Sequence, residues 1–223
     1  MAVTMLNLHS FDRNIEAANP RKTDTVVDMG PIDISTIRDR IIAIPPEVWE
    51  REQANSPNYN QGGVLKQTRH IIFKFSNKIS QPFMYFDMPI WSEWEASLQP
   101  IMDTAVKVFG YERVVFPRVM FARLPAGCRI GAHSDGGIPR SRPHKLHIPI
   151  TTNPETFFLH PPHGRYHLQP GRVYEVDNCR PHGVENNGTT DRIHLIFECM
   201  PMDGAPANRM EAPAHPAGDP GRR

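Results

Sequence analysis

The chain has 223 residues, enough for one domain with a sizeable core, and a formal net charge of +1, which presents no broad field to nucleic acid or to an anionic membrane surface. It contains no run of about 18 apolar residues to span a bilayer, and residues 1–7 lack a basic segment leading into an apolar one, so no signal peptide is expected and the expected compartment is the cytoplasm. Three cysteines, Cys128, Cys179 and Cys199, form no Cys-x-x-Cys pair, and an odd count without metal spacing reads as reduced thiols.

Residues 1–30 are polar and aperiodic, an arm or an added edge strand. Ile37, Ile41 and Ile44 recur at helical spacing, so 32–44 reads as a helix that Asp33 or Ser35 can cap and that Pro45-Pro46 ends. Pro46 can open a further helical turn with Glu47 near its start, and 55–63 is loop by composition. The β-branched and aromatic run 68–75 predicts a strand. Trp91, Trp94, Leu98, Ile101, Ala105 and Val108 then mark an amphipathic helix of about five turns, kinked or restarted at Pro100, with Gly110 suited to the position just past its end.

Beyond Tyr111 the pattern changes to short strand-like runs at 114–124, 145–151, 156–159, 166–168, 172–176 and 192–199, divided by Gly, Pro and Asn. Helices first and strands afterwards predict an α+β domain in which the helices brace one face of a sandwich or barrel. Residues 1–202 read as that single domain, with its β core at 111–200. Residues 203–223, rich in Pro, Ala and Gly, read as a disordered tail.

The chemistry gathers around Gly131-Ala132-His133-Ser134-Asp135-Gly136-Gly137. Positions i and i+2 of a strand share a face, so His133 and Asp135 can converge on one metal ion. The best candidate for a third ligand is His182, within Arg180-Pro181-His182-Gly183-Val184. Two histidines and one carboxylate leave coordination positions open, the ligand set of non-haem Fe(II) oxygenases. Arg192 falls on an apolar, alternating strand, where an unpaired charge is costly. Either a carboxylate-bearing cosubstrate meets its forked guanidinium or a salt bridge to Asp177 or Glu185 does. His160, His163 and His167 form a second histidine group, but Pro161 and Pro162 break any regular ligand face and favour a loop at the mouth of the site.

These residues resemble a known family. Phe121-x-x-Leu124-x-x-Gly127-x-x-Ile130-x-x-His133-x-Asp135, followed by Gly171, Asp177-Asn178, His182-x-Val184-x-Asn186 and Asp191-Arg192-Ile193-His194-Leu195-Ile196, is similar to the aspartyl/asparaginyl β-hydroxylases over about 114–199. The resemblance implies a double-stranded β-helix (a jelly roll, cupin-like) and the use of Fe(II), 2-oxoglutarate and O2. It implies His133, Asp135 and His182 as iron ligands and Arg192 at the distal carboxylate of 2-oxoglutarate. Lys145 and His147, on one strand face, are expected to bind the cosubstrate too, although members often carry Arg where Lys145 stands.

The implied reaction is hydroxylation of an unactivated C–H bond in an amino acid, free or peptidyl, or in a related small carboxylate. Arg123, Arg140 and Arg142 are the expected anchors for a substrate carboxylate, Arg123 first because a strand holds it rigidly. The competing readings are a cupin-like Zn or Mn isomerase or hydrolase, which needs no dicarboxylate anchor, and a jelly-roll binding module without catalysis.

Overall fold

Apolar spacing accounts for the helices. In α1 (Ser35–Ile42), Ile37 and Ile41 stand four residues apart and are buried, and the Ser35 amide donates to Asp33 Oδ1 at 2.8 Å. α2 (Pro46–Ala54) starts on proline, which has no amide hydrogen to leave unpaired there, and buries Trp49. α3 (Trp91–Val106) runs through Pro100 without the expected restart. One backbone bond is lost there, but Leu98, Ile101 and Met102 keep the buried stripe continuous on either side. A short 3₁₀ turn, Lys107–Phe109, then ends at Gly110, whose φ of 61° is left-handed, as its place past the helix requires.

The computed structural model describes residues 7–11, 22–57, 63–76, 83–135, 143–161 and 163–202. Arg140, Arg142 and the expected tail at 203–223 lie outside them. The strands, in chain order, are β1 (Asn7–Phe11), β2 (Val26–Pro31), β3 (Arg69–Ser76), β4 (Phe83–Asp87), β5 (Val114–Leu124), β6 (Arg129–His133), β7 (His144–Thr151), β8 (Thr156–His160), β9 (Gly164–Tyr166), β10 (Arg172–Val176), β11 (His182–Asn186) and β12 (Arg192–Pro201). They form an eight-stranded sheet, β1-β4-β3-β5-β12-β7-β10-β2, and a four-stranded sheet, β6-β11-β8-β9. Every pairing is antiparallel.

Two faced sheets braced by helices are the double-stranded β-helix that the resemblance implied. The segment 1–30 supplies strands at both edges of the larger sheet. β9 ends where the expected strand at 166–168 was to begin, and Leu168 is instead buried between the sheets. No helix among the described residues is long and apolar enough to cross a membrane.

Period-two alternation divides the larger sheet into two chemically different faces. Phe73, Phe121, Ile148, Leu195 and Phe197 point outward into the main core with Trp49, Trp94 and Leu98. There Trp94 meets Phe121 edge-on at 5.0 Å, and Phe73 meets Phe121 at 4.8 Å. The inner face packs Leu124, Tyr174 and Val176 against Phe158 and Val184 of the smaller sheet at one end. Toward the other end the gap between the sheets widens into a cavity lined by polar and apolar side chains together.

Candidate metal centre

β6 and β11 pair so that His182 lies directly opposite His133, with ring centroids 4.4 Å apart. Gly183 permits this approach: a Cβ there would stand 2.8 Å from the Ile130 carbonyl oxygen. Each ring is fixed by its own backbone neighbourhood. His133 Nδ1 lies 2.9 Å from Gly131 O, and His182 Nδ1 lies 3.0 Å from Arg180 O. A carbonyl only accepts, so each Nδ1 carries the proton and each Nε2 is left with a lone pair for a metal.

Asp135 follows the end of β6, and its amide donates to Asn178 O at 2.9 Å. Its Oδ2 accepts from Lys145 Nζ at 2.6 Å and from Asn178 Nδ2 at 2.9 Å. Its Oδ1 faces His133 Nε2 at 3.8 Å and His182 Nε2 at 4.0 Å. Ligand atoms from the three residues lie within 4.8 Å of one another, and among the described residues this is the one group of His, Cys, Asp and Glu so arranged. Burial pushes the Asp135 carboxyl up, but the Lys145 ammonium and the two hydrogen bonds outweigh it and hold the group well below the usual carboxylate range. Burial pulls His182 down, which favours the neutral ring that a metal requires.

The triad opens on a cavity of about 280 Å³ whose lining includes His70, Met120, Lys145, His147, Arg118 and Arg192. Arg192 is 2% exposed. It pairs with neither of its expected partners, since Asp177 meets Arg180 and Glu185 meets Arg165. One guanidinium nitrogen donates to His194 Nδ1 at 2.8 Å, which places the His194 proton on Nε2. Burial pulls the guanidinium down to about 9, so it remains a cation at neutral pH. Arg192 Nε and both nitrogens of His147 are buried without a hydrogen-bond partner. A buried cation and an imidazole with unspent polar atoms, beside a three-ligand cluster, fit Fe(II) with an anionic, metal-chelating diacid such as 2-oxoglutarate.

The remaining expectations fare differently. The Lys145 ammonium, expected at the cosubstrate, is committed to Asp135. Arg123 lies on the other face of β5 from the cavity-lining Met120 and Ala122, and Asp191 takes its guanidinium at 2.6 Å. Arg118 faces the cavity instead. Its parity with Met120 and Ala122 was the available signal, but Arg123 was preferred for standing on a strand, and Arg118, on the same strand, was not weighed. His70, on the neighbouring strand β3, was missed altogether. His160 is fully buried on β8, 4.0 Å from Asp177, and joins no metal cluster.

A double-stranded β-helix with a two-histidine, one-carboxylate cluster and a buried arginine defines the class as a 2-oxoglutarate/Fe(II) oxygenase. Residues 93–201, just under half of the chain, match the family described as aspartyl/asparaginyl beta-hydroxylase, and over that stretch the chain is similar to that family, which supports a hydroxylase of the oxidoreductase class. No curated protein matches the chain.

Among solved structures, the chain is similar to a non-heme monooxygenase, ThoJ, as its nickel complex: 13% identity, covering 83% of this chain and 77% of that one, TM-score 0.50. It is also similar to EvdMO1, with 14% identity over 86% of this chain and 55% of that one, TM-score 0.50. A 2OG-Fe(II) oxygenase-family oxidoreductase from Burkholderia pseudomallei shares 16% identity over 64% of this chain and 70% of that one, at a TM-score of 0.46. At these identities the first two likenesses bear on the fold alone.

Proposed function

We propose that the protein hydroxylates an unactivated C–H bond of an amino acid, free or peptidyl, or of a related small carboxylate. In this reaction O2 supplies one oxygen atom to the substrate and one to succinate, as 2-oxoglutarate loses CO2. His133 Nε2, Asp135 Oδ1 and His182 Nε2 are the atoms that would hold Fe(II), which when bound activates O2 together with 2-oxoglutarate. Arg192 would take the distal carboxylate of the diacid, with His147 donating toward its metal end. Lys145 and Asn178 fix the rotation of the Asp135 carboxylate, and the two backbone carbonyls fix the imidazole tautomers.

The observation that carries this reading is the convergence of the three ligand atoms with buried Arg192, whose Nε has no partner, in one cavity. A Zn or Mn isomerase or hydrolase on the same fold has no need of that arginine. The test is anaerobic addition of Fe(II) and 2-oxoglutarate, which is expected to give a weak visible charge-transfer band. His182→Ala is expected to lose both tight metal binding and the band. Stoichiometric iron and an intact band in that variant would show that His182 is not a ligand.

A further inference from the structure

On the inner face, three neighbouring strands set Arg118, Glu198 and Lys145 side by side, Glu198 being the register partner of both Arg118 on β5 and Lys145 on β7. The outer two are cations and the middle one an anion. Both ion pairs are long, 3.6 Å from Arg118 to Glu198 and 3.9 Å from Lys145 to Glu198. Lys145 is occupied by Asp135 at 2.6 Å. Arg118 is less fully engaged. Its one hydrogen bond among the described residues goes from a terminal nitrogen to Ser76 Oγ at 3.2 Å, and its Nε is buried without a partner. The guanidinium also lies over the Phe75 ring, 5.4 Å from the centroid, which fixes its plane.

Arg118 lines the same cavity as the triad. It stands two strands from Lys145, a lateral separation of about 10 Å between backbones. Arg192 lies six residues from Glu198 along β12, away from this row, so one short diacid held at Arg192 leaves Arg118 unused. Ile72, Phe75, Met120 and Ile196 make the wall around Arg118 apolar. From this geometry we infer that Arg118 is the substrate anchor: it receives the carboxylate of a small free acid whose apolar body lies along that wall and whose reacting C–H bond faces His133, Asp135 and His182. The inference rests on the proposed reading of the triad and narrows it to a free carboxylic acid held by its carboxylate.

The test uses the full chain loaded anaerobically with Fe(II) and 2-oxoglutarate. Titration calorimetry is run with the proteinogenic amino acids and short aliphatic acids, each alongside its carboxamide. At least one acid is expected to bind at least tenfold more tightly than its amide. Arg118→Gln is expected to erase that preference while the metal–diacid band persists. Arg118→Lys, which keeps the charge and loses the fork, is expected to retain part of it and serves alone if the glutamine variant does not fold. Equal acid binding in the wild type and in Arg118→Gln overturns the proposal. So does a panel in which no acid binds, or in which only peptides with a blocked C-terminus bind. Absence of the band in the wild type would instead overturn the reading of the metal centre.

Discussion

Lys145 Nζ and Asp135 Oδ2 are 2.6 Å apart, and this contact turns the other carboxylate oxygen toward both histidines. Lys145 therefore positions Asp135, the carboxylate proposed as a metal ligand. Lys145→Met keeps the length of the side chain and removes the ammonium, while Asn178 Nδ2 still donates to the same carboxylate oxygen. Fe(II) affinity is expected to fall roughly 10- to 100-fold, as for other partners of metal ligands. A competition assay with a metal-sensitive dye measures it. Unchanged metal affinity with a raised 2-oxoglutarate requirement would return Lys145 to the cosubstrate role expected from the sequence.

Arg192→Ala is expected to raise the 2-oxoglutarate requirement at least tenfold, about 1.4 kcal/mol or more. The change removes the one donor that meets His194 Nδ1 as well as the buried cation. Succinate release against 2-oxoglutarate concentration gives the shift, with circular dichroism as the check on folding. An unchanged dependence would assign Arg192 a structural role.

Gly183→Ala probes the strand pairing that brings the histidines together. The added methyl meets the Ile130 carbonyl oxygen at 2.8 Å, a backbone atom with little freedom to move aside. β6 and β11 must separate, and His133 must separate from His182 with them. A loss of about 1–3 kcal/mol in urea unfolding is expected, as for overpacking, together with at least tenfold weaker metal binding. Gly131→Ala on the partner strand meets only the Val64 side chain at 3.5 Å, ordinary contact, and is the matched control.

Acid is expected to destabilise the fold through its buried and half-buried neutral histidines. Burial, with Lys145 and Arg192 nearby, pulls His70 from 6.5 to about 4, and burial pulls His147 and His194 well down too. The unfolded chain thus binds more protons than the folded one between these values. Stability is full above pH 6.5 and is lost as pH falls toward 4, with roughly 3 kcal/mol at stake for His70. Urea midpoints at a series of pH values across that window test this, and a flat profile would contradict it.

Much of this was readable from residue order. Apolar alternation gave β5 and β10 their ends to the residue, and the heptad-like stripe of tryptophan, leucine and isoleucine gave α3. His133, Asp135 and His182 were legible as a set because strand parity and family-like spacing agree. What escaped depended on tertiary context. β6 and β11 are five residues long and carry glycine, so their identity comes from pairing rather than propensity. Arg118 and Arg123 are chemically alike, and only the handedness of one strand relative to the core decides which of them sees the cavity. The Lys145–Asp135 contact joins two sheets and has no local signature at all.

Arg192, His147 and Lys145 belong to the larger sheet, while His133 and His182, with Asp135 just beyond, belong to the smaller one. Among the described residues no backbone ladder joins the two, so the width of the space between them is kept by packed side chains and by the loops that connect the sheets. A slight breathing of that space on warming leaves every ladder intact yet draws the arginine away from the imidazoles. Thermal inactivation is therefore expected to run ahead of melting, with turnover fading at temperatures where the far-ultraviolet spectrum is still that of the native strands.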